Sequence, residues 1–290
     1  MPLLTSPLRS GLLGCCLTLA LATAAAPAWA DAGVYMHGFG MPDTMDFAPV
    51  AVSRSNTFDP ALNFYAGQNF GSANVTTGAL KVSASAEAIA PFYFDTCGQC
   101  PQVYASLRDT LSFQGPGSTV PVTMSVHLDG SFAMSGSTGL AQLGVAADLV
   151  LGGQSAQIIL DRTYVPAGNH FYPPANTVNG TVNGKPGSYV ITSLNMAEGT
   201  AILSGTFSTN TIYSTSVGLL LQYSMLEPGT VAAADFSHTA LVSISLPAGY
   251  SYSSGSGVFL TSAVPEPGSL PLFAAGLATV GVALRRRPRG

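Results

Sequence analysis

The chain has 290 residues, of which only 8% are charged and 47% are hydrophobic, whereas an average soluble domain is about 25% charged. Between positions 31 and 263 it has five basic residues against thirteen acidic ones, a formal net charge of −8. Nucleic-acid binding requires clustered lysine and arginine, so this composition excludes nucleic acid as a partner.

The N-terminus has the three parts of a secretory signal peptide. Arg9 forms the positive first part, and an apolar run follows over 11–26. The small residues Ala28 and Ala30 mark a signal peptidase site, and cleavage there leaves Asp31 as the mature N-terminus. The sequence therefore predicts export through the Sec translocon and removal of residues 1–30 by signal peptidase.

Hydrophobic and polar residues alternate at period two along much of the region from 31 to 263, which is the pattern of half-buried strands. The clearest case is 119–135, where Asp129-Gly130 predicts the turn of a β-hairpin. Pro121 predicts that its strand lies at a sheet edge or begins just after it. Further strands are predicted at 79–90, 156–165, 189–194, 200–213, 217–226, 236–246 and 258–261. Short strands at roughly ten-residue spacing favour an all-β antiparallel sandwich or a jelly-roll-like body.

Cys97 and Cys100 form the one motif in this region that suggests a chemistry. A Cys-x-x-Cys pair can be a local disulfide, a redox centre or half of a zinc site. A zinc site needs a second pair of ligands, and the histidines of this chain are isolated in sequence. An exported compartment is oxidising, so we interpret the pair as a structural disulfide, with redox and metal roles as alternatives.

The sequence predicts no catalytic residues, no cofactor and no metal. It has no serine nucleophile motif and no visible His-Asp pair, and acidic residues such as Glu87 and Asp129 have ordinary structural explanations. Carbohydrate binding through aromatic side chains beside loops is a sharper hypothesis, although the same residues fit a core. The candidates are Tyr164, Phe171, Tyr172, Tyr189, Tyr250 and Tyr252.

The C-terminus combines a proline motif, an apolar run and a basic cluster. The motif is Val264, Pro265, Glu266 and Pro267, and the cluster begins with Arg285, Arg286 and Arg287. Between them, 270–284 predicts a short transmembrane helix of roughly 22 Å. The arginines predict that its end stays in the cytoplasm. Spacing alone fits a plain membrane anchor equally well.

These three parts, in this order at the end of the chain, resemble the PEP-CTERM sorting signal of Gram-negative bacteria, a tail also called the ice-binding protein C-terminal motif. The resemblance implies recognition by an exosortase, a membrane cysteine transpeptidase, and processing at or near Pro265-Glu266-Pro267. It also implies a link to exopolysaccharide or biofilm.

We therefore expect a signal peptide at 1–30, an exported β body at 31–263 and a sorting tail at 264–290. The expected route passes through an inner-membrane intermediate to the cell surface or the extracellular matrix. The expected role is structural or adhesive. A carbohydrate-binding module with one specific glycan is the alternative, and a hydrolase with an unrecognised site is the third hypothesis.

Overall fold

The computed structural model describes residues 30–37, 44–58, 65–89, 102–136, 139, 141–167, 175–183, 185–186, 189–193 and 196–260. The predicted apolar part of the signal, the Cys97–Cys100 pair and the sorting tail lie outside these residues. The structure therefore does not test those predictions.

The described residues form strands and turns only, and none of their segments is a helix that could span a membrane. The first eight strands are β1 (Asp31–His37), β2 (Thr44–Ala48), β3 (Ala51–Phe58), β4 (Tyr65–Asn74), β5 (Ala79–Ala88), β6 (Gln102–Gln114), β7 (Thr119–Gly136) and β8 (Ala141–Leu151). The second eight are β9 (Gln154–Val165), β10 (Ala175–Val182), β11 (Lys185–Pro186), β12 (Tyr189–Ser193), β13 (Met196–Ser208), β14 (Ile212–Leu226), β15 (Thr230–Ser245) and β16 (Ser251–Ser254).

The strands form two antiparallel sheets, which confirms the all-β prediction. Sheet A has the order β11-β10-β9-β8-β14-β6-β1-β2, and β16 pairs with the end of β6. Sheet B has the order β12-β13-β7-β15-β5-β4-β3. Inward side chains of both sheets share one hydrophobic core, with β13 against β9 and β4 against β6. The body is therefore a two-sheet sandwich.

Strand β7 explains how the sequence builds this core. Its alternate residues Val120, Val122, Met124, Val126 and Leu128 are at most 1% exposed. Burying each such side chain stabilises the fold by about 1.5–3 kcal/mol. The predicted alternation is thus confirmed.

The hairpin predicted at Asp129-Gly130 is wrong, because β7 continues through both residues to Gly136. Gly130 instead lies opposite a two-residue bulge in β15, where the ring of Phe236 covers it. A Cβ on Gly130 would lie 2.3 Å from a ring carbon of Phe236. The glycine therefore makes room for an aromatic ring, and strand pairing overrides its turn propensity.

Pro121 also departs from the prediction, because β7 is an interior strand of sheet B. Its backbone pairs with Thr206 of β13 on one side, whereas β15 ends opposite Thr123 on the other. A proline near the start of this strand therefore has one side without a neighbouring strand, where a missing N–H is tolerated.

Two other strand predictions need correction, and several strands were not predicted. The predicted strand 200–213 is two strands, because a turn at 209–211 separates β13 from β14. Residues 258–260 of the predicted strand 258–261 form a turn. No strand was predicted at β1–β4, β6, β8, β10, β11 or β16. In β8, residues 143–147 are buried on both faces and therefore do not alternate.

Candidate functional site

One residue from each of six neighbouring strands forms a row across the outer face of sheet A. Backbone pairing aligns them at one level of the sheet. From the edge strand inward they are Phe47 of β2, Gly33 of β1, Ser106 of β6, Gly218 of β14, Asp148 of β8 and Gln157 of β9. We call this set the transverse row. The middle members Gly33, Ser106 and Gly218 are small, so side chains from neighbouring positions lie over the two glycines.

Two side chains meet over Gly218. A Cβ on this glycine would lie 2.4 Å from Tyr104 Oη and 2.7 Å from Asp148 Oδ2. The phenol and the carboxylate thus occupy the space that a side chain on β14 would fill. A β-branched or larger residue here would displace both groups, so the glycine permits this constellation.

A similar arrangement occurs at Gly33, near the edge of the sheet. A Cβ there would lie 2.8 Å from a ring carbon of Phe47 and 2.8 Å from Ser106 Oγ. Phe47 is 48% exposed, so one face of its ring is available to solvent. The edge of the transverse row therefore combines an accessible aromatic ring with a hydroxyl group.

The transverse row lies between an aromatic border and a charged border. On one side, backbone pairing aligns Met45, Tyr35 and Tyr104 across three strands. On the other side, Asp31 of β1 is directly opposite Arg108 of β6. The face therefore offers apolar surface, hydrogen-bond donors and hydrogen-bond acceptors within one region.

Burial raises the pKa values of three groups in this region. It raises the pKa of Asp148 to about 6, against a smaller lowering by a hydrogen bond from Gln157. Burial, and next the charge of Asp148, raise the pKa of Tyr104, while Arg108 lowers it. Burial also raises the pKa of Asp31, and Arg108 opposes that shift. Perturbed groups that influence one another in this way cluster at functional sites.

Two buried polar atoms of the charged border have no hydrogen-bond partner among the described residues. They are Asp31 Oδ1, an acceptor, and Arg108 Nε, a donor. A buried polar atom without a partner destabilises a fold by about 1–3 kcal/mol. A ligand with hydroxyl groups can satisfy a donor and an acceptor placed side by side in this way.

The structure places the predicted sugar-binding tyrosines elsewhere. Tyr164 donates a hydrogen bond to the Gly136 carbonyl (2.9 Å), and Tyr250 covers Gly115. Tyr252 packs on the core, and burial raises its pKa. For these three residues the core interpretation is correct. Phe171 and Tyr172 lie outside the described residues, and for Tyr189 the structure describes only the backbone, in β12.

Sequence reasoning missed Tyr35, Tyr104 and Arg108 because they occupy the outward positions of alternating strands, which usually face solvent. A signal was present in the glycines Gly33 and Gly218. A glycine at an outward position inside a strand often marks the close approach of another group.

A surface pocket and the distribution of metal-ligating side chains among the described residues give no further candidate for a functional site. A shallow pocket of about 360 Å³ lies between β6, β14 and β16, and its lining of Thr110, Leu111, Ser112, Ile212, Ser253, Ser254 and Gly255 contains no titratable side chain. Within the described part of the chain, no group of three or more His, Cys, Asp or Glu residues could hold a metal ion.

Comparison with known proteins identifies the C-terminus. Residues 263–287 match the model of the PEP-CTERM protein-sorting motif. The chain therefore carries the sorting tail of an exported protein that passes through the membrane. More particularly, it carries a PEP-CTERM tail and is sorted by an exosortase, as the resemblance implied.

No curated protein matches the chain. Among solved structures, a native family 12 xyloglucanase from Bacillus licheniformis is similar at 11% identity, over 68% of this chain and 100% of that chain, with a TM-score of 0.19. A likeness this low carries no argument about fold or function.

Proposed function

We propose that this protein is a structural or adhesive component of the cell surface or extracellular matrix whose β body binds exopolysaccharide through the outer face of sheet A. The sorting tail supports delivery to that location. The observation that carries the binding role is the meeting of Tyr104 and Asp148 over Gly218, within a row bordered by aromatic and charged side chains.

The shape of the site suits a polymer better than a single small molecule. The transverse row crosses six strands, and at about 4.8 Å per strand it extends over roughly 24 Å. Phe47 lies on the edge strand β2, so a long chain can leave the sheet on that side. Sugar rings stack their apolar faces on aromatic rings such as those of Phe47 and Tyr35, and their hydroxyl groups pair with Asp148 and Arg108.

We propose binding without cleavage. Glycoside hydrolysis uses two carboxyl groups about 5–9.5 Å apart on either side of the scissile bond. The other aspartate on these two strands, Asp161, is opposite Gly144, four residues along β8 from Asp148. At about 3.3 Å per residue this places the two aspartates roughly 13 Å apart along the strands. Such a spacing supports recognition of separate sugar units.

Affinity electrophoresis of the full chain, in gels that contain exopolysaccharide from the producing cells, tests the proposal. The double substitution Met45→Ala and Phe47→Ala removes two half-exposed side chains of sheet A, so the fold should persist. We expect at least tenfold weaker retardation. The matched control is Ile202→Ala with Leu241→Ala on sheet B, where the side chains are 51% and 41% exposed, and we expect no change.

Two results would overturn the proposal. One is an absence of retardation in the parent protein with every polysaccharide tried. The other is an equal loss of retardation in the sheet A and sheet B variants, which would indicate nonspecific adsorption to apolar side chains. Release of reducing ends from the polysaccharide would instead reveal a hydrolase.

A further inference from the structure

Both ends of the described body lie at the same end of the sandwich. Ala32, next to the start of β1, is opposite Ala48 at the end of β2, just before the turn at Val50. The backbone N–H of Val75 donates to the Val50 carbonyl (2.8 Å), and the N–H of Leu260 donates to the Val75 carbonyl (3.1 Å). The start of β1 and the last described residue therefore flank one set of turns, which we call the tail end.

The C-terminal segment is held firmly at this end. Ser256 donates to Asp109 from its backbone N–H (3.3 Å) and from its hydroxyl (2.6 Å), and Asp109 is 6% exposed. Phe259 is 1% exposed within the core. Charge-assisted hydrogen bonds and a buried ring fix the segment up to Leu260, so the position at which the chain leaves the body is fixed as well.

The sorting tail begins a short distance beyond this position. Nine residues, and so ten steps of the backbone, lie between Leu260 and Leu270, the start of the apolar run. A fully extended chain covers at most about 3.3–3.6 Å per residue, so the tail end stays within about 35 Å of the membrane that holds the tail. The predicted signal peptide also precedes the body at this end, because it leads into Asp31.

The turns of the tail end are uncharged, and the two charged residues beside them, Asp31 at the start of β1 and Lys185 at the start of β11, have opposite signs. The turns at 49–50, 75–78, 115–118, 152–153, 209–211 and 246–250 lie at this end, and none of them contains a charged residue. By contrast, at the opposite end the connection between β14 and β15 contains Glu227, and Glu87 is paired with Val231 at the start of β15. Anionic lipids repel carboxylates, so the tail end approaches such a surface with a smaller electrostatic penalty than the opposite end.

Apolar side chains are exposed at both ends, but at the opposite end Ile89 and Val231 lie close to Glu87, whereas those of the tail end lie beside uncharged turns. Val50, in the turn before β3, is 44% exposed, and Ile212, at the start of β14, is 73% exposed. Apolar groups beside uncharged turns suit the interface between lipid headgroups and acyl chains.

We infer that the tail end of the sandwich lies against the lipid surface of the membrane while the tail is still attached. The partner is the lipid surface itself, and the contact is made by the turns around Val50 and by Ile212. In this orientation the strands stand upright on the membrane, and the outer face of sheet A is open to the side. Exosortase then meets its motif next to a body held in one orientation.

Quenching of tryptophan fluorescence by lipids tests this inference in the full chain. The only tryptophan, Trp29, is replaced by phenylalanine, and a new one is introduced by Val50→Trp or Val231→Trp. These valines form a matched pair, because each is 44% exposed and Val231 lies in β15 at the opposite end. Ile212→Trp provides a second tail-end position if Val50→Trp folds poorly.

The chain is reconstituted in vesicles of phosphatidylethanolamine and phosphatidylglycerol that carry a headgroup quencher. We expect at least twofold quenching for Val50→Trp and Ile212→Trp, and none for Val231→Trp. Equal quenching at both ends, or quenching only at Val231→Trp, would overturn the inference. Tail-end quenching that requires added exosortase would also overturn it, since the contact would then be with the enzyme.

Discussion

The outer faces of the two sheets derive from similar alternating strands and yet differ in character. On sheet B the outward residues of β7 are small hydroxyl residues such as Thr123 and Ser125, which are half-buried or exposed. Ser125 and Ser243 exchange a hydrogen bond of 2.7 Å across the strands. On sheet A the outward residues Gln222 and Leu220 are only 3% and 7% exposed. Sheet B presents a solvated outer face, whereas the outer face of sheet A keeps Gln222 out of water and leaves Asp148, Tyr104 and Arg108 half-buried.

This difference between the two outer faces indicates where the fold retains destabilising polar groups. Solvated hydroxyl groups, such as those on sheet B, change the free energy of unfolding only slightly. A desolvated carboxylate such as Asp148, or an unpartnered atom such as Arg108 Nε, lowers stability unless a ligand completes it. Natural proteins retain such defects mainly at functional sites.

The largest expected effect is on the stability of Asp148→Asn. Burial raises the pKa of Asp148 from 3.8 to about 6, so the folded state holds an extra proton between about pH 4 and pH 6. Stability therefore falls as the pH rises through this window, by up to roughly 3 kcal/mol at pH 7. The variant, whose amide can still pair with Gln157, should be more stable than the parent by up to about that amount at pH 7, and by almost nothing at pH 4.

Urea unfolding of the full chain from pH 4 to pH 8 measures this difference. Asp129→Asn on the half-buried face of sheet B is the control and should change stability by no more than about 0.5 kcal/mol. A constant offset between parent and Asp148→Asn across the pH range would contradict the prediction. It would mean that Asp148 is solvated like the residues of sheet B.

A smaller effect is expected for Gly218→Ala, and it concerns binding. The new Cβ would lie under 3 Å from Tyr104 Oη and Asp148 Oδ2, so both groups must move away from the transverse row. We expect about tenfold weaker retardation by exopolysaccharide, which corresponds to roughly 1.4 kcal/mol. Ala133→Val, which adds bulk to an exposed position of sheet B, should leave retardation unchanged. Unchanged binding in Gly218→Ala would remove Tyr104 and Asp148 from the site.

The smallest effect is expected for Glu198→Gln on sheet B. His127 Nε2 lies 3.2 Å from Glu198 Oε1, and His127 Nδ1 lies 2.9 Å from Thr200 Oγ1. Both side chains are more than 40% exposed, so solvent screens the pair, and its loss should lower stability by at most about 0.5–1 kcal/mol. Thermal unfolding measures this change, and polysaccharide binding should stay at the parent level. Reduced binding would instead assign a role to sheet B.

The sequence alone determined the sorting tail of the protein and the class of its fold. The sorting tail was recognisable because its prolines, apolar run and arginines follow one another along the sequence, and this order can be read without the fold. Strand alternation predicted the sandwich, because successive side chains of a half-buried strand point in turn to the core and to solvent, whichever strands are its neighbours. Alternation gave a wrong prediction where a neighbouring strand determines the local structure. Gly130 was predicted to lie in a turn, but it lies inside β7, opposite the bulge in β15.

Only the tertiary structure decided the site and the tail end. Phe47, Tyr104, Asp148 and Gln157 are spread over 111 positions of the sequence. Antiparallel pairing aligns Phe47, Asp148 and Gln157 in the transverse row and places Tyr104 on its aromatic border. Likewise, the uncharged turns come from six separate connections that meet because alternate strands end on the same side. Pairing between distant strands brings such residues together, and alternation within a single strand carries no information about which strands will be neighbours.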